Sequence, residues 1–195
     1  MVLPIHTYGD PVLRAEAEPV GGNSTELQAL IDDMIETMRR AQGIGLAAPQ
    51  VGRSLRLFVV DLTAIAERED EDTSDWPAQP MVFINPEIEA ETEDECTYEE
   101  GCLSIPDLRE DVTRPEGVRV KYMDRAFVER EIDAYGILAR VVQHEYDHLD
   151  GVLFVDLISP FRRKLMQRRL REMAKGDVEA DYPLATVEAG SARSD

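Results

Sequence analysis

Gln143-His144-Glu145-Tyr146-Asp147-His148-Leu149 places two histidines four residues apart, with a glutamate directly after the first. On a helix, positions four apart share one face a single turn apart, so both imidazoles can converge on one metal ion. Glu145 lies about 100° round the axis, where it can reach a water on such a metal without being a ligand. Upstream, Ile137, Val141, His144 and His148 follow in steps of four, three and four. The histidines therefore point where the apolar stripe points, inward. Arg140 lies off this stripe and is expected on an exposed face. The competing account is two unrelated buried histidines, each satisfied by a hydrogen bond; a chain with only 3 histidines seldom spends two on this spacing by accident.

A catalytic metal site needs a third protein ligand and an open position. Asp150 and Asp156 follow closely in the chain, and Cys102 sits upstream in Glu100-Gly101-Cys102-Leu103-Ser104-Ile105-Pro106. A thiolate would favour Fe(II), Co(II), Ni(II) or Zn(II) over Mg or Ca. Spacing alone leaves Cys102 open to two other roles, a small buried hydrophobe or half of a Cys96–Cys102 disulfide.

Outward from this centre, the metal helix is expected over about 133–149, closed by Gly151 in a left-handed conformation. A further helix should start at Ser159-Pro160, an N-cap followed by proline at the first helical position, and run to about Lys175. Near the start of the chain, Thr25 has capping-box spacing to Gln28. Leu27, Leu30, Ile31, Met34, Ile35 and Met38 then form one apolar stripe of about four turns. Gly43-Ile44-Gly45-Leu46-Ala47-Ala48-Pro49-Gln50-Val51-Gly52 interrupts regular helix and lets backbone approach a ligand closely. Leu55–Asp61 and Met81–Ile84 read as strands, the second stopped by Asn85-Pro86. Glu87–Glu100 holds acids at alternate positions, as in a strand with one acidic face, paired with Val118–Tyr122. The pattern implies an α+β fold: a single compact domain with antiparallel or mixed sheets around a central metal-binding helix, plus a C-terminal helix. The domain should span 1–175, with a flexible acidic tail over 176–195.

The formal charge is −19, from 21 Lys+Arg against 40 Asp+Glu, with only three lysines among the bases. So acidic a chain is not a DNA binder, because phosphate would repel it. No apolar run is long enough to span a bilayer, so no membrane partner is expected. Two cysteines and an N-terminus without a secretory signal point to a reducing, cytoplasmic location. Glu67–Asp75 is a solvated acidic loop within the acidic connection Ala64–Pro80, which is expected to fold over or near the substrate entrance. A lysine-poor acidic surface is also what a salt-rich interior favours, since salt screens self-repulsion. The exception is the C-terminal helix at about 160–175, where Arg162, Arg163, Lys164, Arg168, Arg169, Arg171 and Lys175 face one Glu172. Its apolar stripe is read as Phe161, Leu165, Leu170 and Met173.

Three motifs in order, Gly43–Gln50, Glu100–Ser104 and His144–His148, closely resemble those of the peptide deformylase family. Tyr8–Arg14, Ile84-Asn85-Pro86 and Asp147–Gly151 add to the likeness. The resemblance implies that Cys102, His144 and His148 bind one divalent metal, Fe(II) in the cell and Zn, Ni or Co also accepted, with water in the fourth position. It implies that Glu145 takes a proton from that water, and that the formyl group of N-formylmethionyl peptides is released as formate. Gln50 and the Leu103 N–H would meet the charge on the carbonyl oxygen. Ile44, Gly45 and Gly101 would hold the substrate backbone, Ile137 and Val141 would line the methionine pocket, and Arg109 would lie near the incoming peptide. In this family a basic C-terminal helix docks on the ribosome, the partner implied here.

Overall fold

The computed structural model describes residues 1–65 and 76–185, so the expected loop at Glu67–Asp75 lies outside the described residues. Among the described residues, seven strands and three principal helices follow one another. They are α1 (Thr25–Arg40), β1 (Gly45–Ala47), β2 (Leu57–Val60), β3 (Met81–Glu91), β4 (Glu95–Cys102), β5 (Ile105–Pro115), β6 (Gly117–Met123), β7 (Glu129–Tyr135), α2 (Gly136–Leu149) and α3 (Pro160–Met173). Five strands form one sheet in the order β1-β2-β3-β6-β7, and β4 and β5 form a separate hairpin. Every described pairing between strands is antiparallel. The α+β class is as expected.

Period-two alternation sorts the sheet's residues between two helices. Leu57, Val59, Val82 and Ile84 face α1, where Ile31, Met34 and Met38 bury the stripe read from the sequence. Phe58, Val60, Met81 and Phe83 face α2, against Leu138, Val141 and Val142. Phe83 stacks between Phe58 and Tyr122, at centroid distances of 4.6 and 4.3 Å. Burying one such ring contributes roughly 2–3 kcal/mol. A third cluster joins the β4–β5 hairpin to α3 through Ile105, Val112, Phe154, Met166, Leu170 and Met173.

Several boundaries differ from expectation, each for a local reason. The N-cap of α1 is Ser24, not Thr25; its hydroxyl accepts from the Leu27 N–H at 3.1 Å. β3 does not stop at Asn85-Pro86. Asn85 takes a left-handed φ of 48°, the register slips, and its side chain accepts from the Val20 N–H (2.7 Å) and donates to the Val20 carbonyl (2.9 Å). This bulge absorbs the missing proline N–H, and the strand continues to Glu91. Glu87 then faces Lys121 and Glu91 faces Val118, as expected, whereas Glu95–Cys102 turns away to pair with β5. The metal helix begins at Gly136 rather than 133, because β7 remains paired with β6 up to Tyr135.

The tail departs furthest from expectation. Beyond Gly176 the chain returns across the body: the Ile5 N–H donates to the Pro183 carbonyl, and the Ala185 N–H donates to the Ile5 carbonyl, both at 2.9 Å. Apolar Tyr182 and Leu184 pack into the α1 cluster, which an entirely polar tail could not do. Residues 186–195 lie outside the described set. No helix among the described residues is long and apolar enough to cross a membrane.

Candidate metal centre

α2 runs through the middle of the molecule, buried from Leu138 to Glu145. It carries His144 and His148 towards the tip of the β4–β5 hairpin, where the register slips between Gly101 and Cys102. The Cys102 sulfur and one nitrogen from each of His144 and His148 lie within 4.8 Å of one another. Cys102 Sγ is 3.2 Å from His148 Nε2, which leaves that nitrogen facing the shared space. Asp150 and Asp156 are occupied elsewhere, by Arg56 and by Arg14 with Arg163. Both cysteines are free thiols, so the Cys96–Cys102 disulfide alternative is not realised.

The donor set, one sulfur and two converging imidazoles, suits a borderline-soft divalent metal. Glu145 Oε2 is buried without a hydrogen-bond partner among the described residues, as a carboxylate awaiting a polar reactant would be. Burial pushes the Glu145 carboxyl up to about 7, and the Glu100 charge adds to this against the pull of His144 and Arg114. Its closeness to β1 explains the second glycine of the Gly-x-Gly loop. A Cβ on Gly45 would run into Glu145 Oε1, and one on Gly43 would meet Leu103 Cδ1 at 2.8 Å.

Glu100 governs the orientation of His144, accepting from its Nδ1 at 2.9 Å and so turning Nε2 towards the sulfur. Arg114 grips the same carboxylate with Nε (2.7 Å) and Nη2 (3.0 Å), and donates through Nη1 to Asp147 at 2.7 Å. Burial works against the Glu100 charge, but the bonds from His144 and Arg114 prevail and hold its pKa far below the ordinary carboxylate range. Burial and the His144 charge push His148 well down, which favours a neutral imidazole. Arg140 corrects an expectation. It is 4% exposed, donating from Nη1 to Glu100 (2.7 Å) and to the Val112 carbonyl (3.0 Å), and from Nη2 to the Cys96 carbonyl (2.7 Å). The β4–β5 hairpin covers the face that helical phase alone assigned to solvent.

Gln50 is buried beside this group. Its Oε1 accepts from the Ala47 N–H at 2.7 Å, and its Nε2 donates to Ser104 Oγ at 3.2 Å and lies 3.5 Å from Cys102 Sγ. Leu103 follows Cys102 in the hairpin turn, and Gly101 pairs with Arg109 across the hairpin. Arg109 is exposed, 3.9 Å from Glu99. Val141 is buried and Ile137 partly buried on the α2 face towards the large sheet, and Ile44 packs against the same cluster. β1, which carries Gly45, is an edge strand of that sheet. Arg114 and Tyr182 were not singled out by sequence reasoning. A lone arginine in a strand carries no signal, but aromatic Tyr182 beside Pro183-Leu184 stands out in a tail otherwise small and acidic.

A cysteine sulfur, two imidazoles and a buried carboxylate, between an edge strand and a hairpin, make a group that could hold one metal ion, as in a single-metal hydrolase. The family model for polypeptide deformylase matches residues 2–164. A peptide deformylase of Salinibacter ruber is 61% identical over 186 residues, covering 95% of each chain. One from Prosthecochloris aestuarii is 46% identical over the full length of both. The crystal structure of the Ehrlichia chaffeensis peptide deformylase superposes with a TM-score of 0.81 at 36% identity, covering 91% of this chain and 99% of that one. The chain belongs to the polypeptide deformylase family, metal-dependent hydrolases that remove the N-formyl group from nascent polypeptides.

Proposed function

We propose that Cys102, His144 and His148 hold one Fe(II) ion in the cell, and that Zn, Ni or Co can replace it, since all four accept this donor set. When bound, the metal supplies Lewis acidity towards the formyl carbonyl and lowers the pKa of the attacking water. The observation that supports the assignment is the convergence of these three donors beside buried Glu145, whose Oε2 has no hydrogen-bond partner among the described residues.

Glu145 acts as general base, taking the proton of the attacking water, and then returns it to the amine as the formyl C–N bond breaks. Formate and a free methionine N-terminus are the products. A carboxyl whose pKa sits near 7 is suited to both transfers. The Gln50 side-chain amide and the Leu103 N–H donate to the carbonyl oxygen as negative charge develops on it. Backbone groups of Ile44 and Gly45 on the β1 edge, with Gly101 opposite, hold the peptide as an added strand. Ile137 and Val141 line the methionine pocket, and Arg109 attends the incoming chain beyond it.

The enzyme works in the cytoplasm, and α3 docks on the ribosome through its basic face. Part of that charge is already paired, with Arg162 on Glu110 and Arg163 on Asp156, whereas Phe161 (70% exposed) and Leu165 (62%) face outward. The buried stripe of α3 is Met166, Leu170 and Met173, so Phe161 and Leu165 do not pack on the body as the sequence suggested.

Anaerobic purification with metal analysis, paired with formate release from a short formyl-Met peptide, tests the reading directly. Glu145→Ala should keep one metal per chain and lose about 10²–10⁴-fold in turnover. Wild-type turnover in that variant would remove Glu145 from its role.

A further inference from the structure

The return of the chain after α3 brings one hydroxyl to the catalytic hairpin. Tyr182 Oη donates to the Leu103 carbonyl at 2.8 Å, while its ring and the Leu103 side chain pack against the same apolar cluster. The residues around that carbonyl are held as well. The Tyr8 N–H donates to the Ser104 carbonyl at 2.9 Å, Gln50 Nε2 donates to Ser104 Oγ, and the Leu103 side chain rests where a Cβ on Gly43 would stand. Of these groups, Tyr182 alone grips the carbonyl of Leu103 itself. The backbone bonds between Ile5 and the Pro183–Ala185 segment hold the tyrosine in place.

We infer that Tyr182 is a positioning residue for the deformylation reaction: its hydroxyl clamps the Leu103–Ser104 peptide and so sets the direction of the Leu103 N–H one peptide earlier. This rests on the proposed role of that N–H as an oxyanion donor. A donor aimed in advance costs no reorganisation during reaction, whereas one free to swing loses much of its effect. The carbonyl of Leu103 turns with ψ of that residue, so releasing it frees the turn that follows the metal-ligating Cys102. If packing were the ring's whole purpose, phenylalanine would serve equally well.

Tyr182→Phe in the full chain, with Co(II) bound, tests the clamp. The expected result is a kcat about tenfold lower with KM within twofold. The Co(II)–thiolate absorption should not change, and the Leu103 amide should exchange its hydrogen about tenfold faster by NMR, since one hydrogen bond no longer holds the turn. A chain stopped after Gly176 should show the same kcat loss. A wild-type kcat in Tyr182→Phe overturns the proposal whatever the exchange result. A fall in kcat accompanied by a shifted cobalt spectrum also overturns it, because the hydroxyl would then act through Cys102. Loss in the shortened chain but not in Tyr182→Phe does so as well, assigning the effect to packing. Should the wild-type protein release no formate, the deformylase reading fails, while amide exchange still judges the clamp.

Discussion

Helices α2 and α3 are both 14 residues long, yet they handle charge in opposite ways. In α2 the charged side chains are enclosed. Arg140 and His144 meet Glu100, and Asp147 meets Arg114, all in a space closed by the β4–β5 hairpin. In α3 the arginines lie at the surface and reach partly buried partners, Glu110 and Glu172, with long flexible arms. A charge that has left water depends on its partners, whereas a solvated one can lose its partner at little cost. Ion pairs that look alike in distance therefore differ greatly in consequence.

Arg114→Met should show the largest effect on stability. It takes the shared cation from buried Glu100, which keeps Arg140, and from partly buried Asp147, and should cost about 3 kcal/mol in urea unfolding. A cost below about 1 kcal/mol would put this cluster on the same footing as the α3 surface. Glu100→Gln keeps the shape but weakens the hold on His144 Nδ1. Metal affinity, measured by competition with a chelator, should fall about 10–100-fold. Unchanged affinity would show that Glu100 does not orient the ligand.

The smallest effect belongs to Asp156, between the two regimes, where it binds Arg14 and Arg163 and accepts from the Leu153 N–H. Burial opposes its charge, but the bonds from Arg14 and Leu153 lower its pKa overall. A carboxyl with a lowered folded pKa contributes stability that is fully present above its unfolded pKa and lost as pH falls through the folded value. Asp156→Asn should therefore cost about 1 kcal/mol at neutral pH. The gap to wild type should close as the medium is taken below the ordinary carboxylate range. A gap that stays constant with pH, measured by urea midpoints, would show that the ion pair contributes nothing.

The contrast also marks how far sequence reasoning reaches. Helical spacing identified His144, Glu145 and His148 as one constellation, because a turn of helix is the same in any fold. It misjudged Arg140 because phase tells which residues share a face, not what covers that face. The α1 stripe was legible for the same local reason, while its cap was one residue off, with Ser24 and Thr25 equally able to accept. Asn85-Pro86 looked like a stop because proline lacks a donor, and only the distant backbone of Val20 shows how the strand survives. Joining Cys102 to the histidines relied on family likeness, since a distance of 42 residues or more in the chain says nothing about proximity in space. Tyr182 lay beyond any local rule, as its partner is 79 residues away.

The bridge between Ile5 and Leu184 closes a ring that contains almost every other element. Closure entropy rises with the length enclosed, and contacts so far apart in sequence are repaid only after the intervening chain has condensed. The hairpin, the metal helix and the sheet can all be in place before the ends meet. Closure entropy therefore favours one order at this site: the three candidate ligands together first, and the segment bearing Tyr182 beside them afterwards.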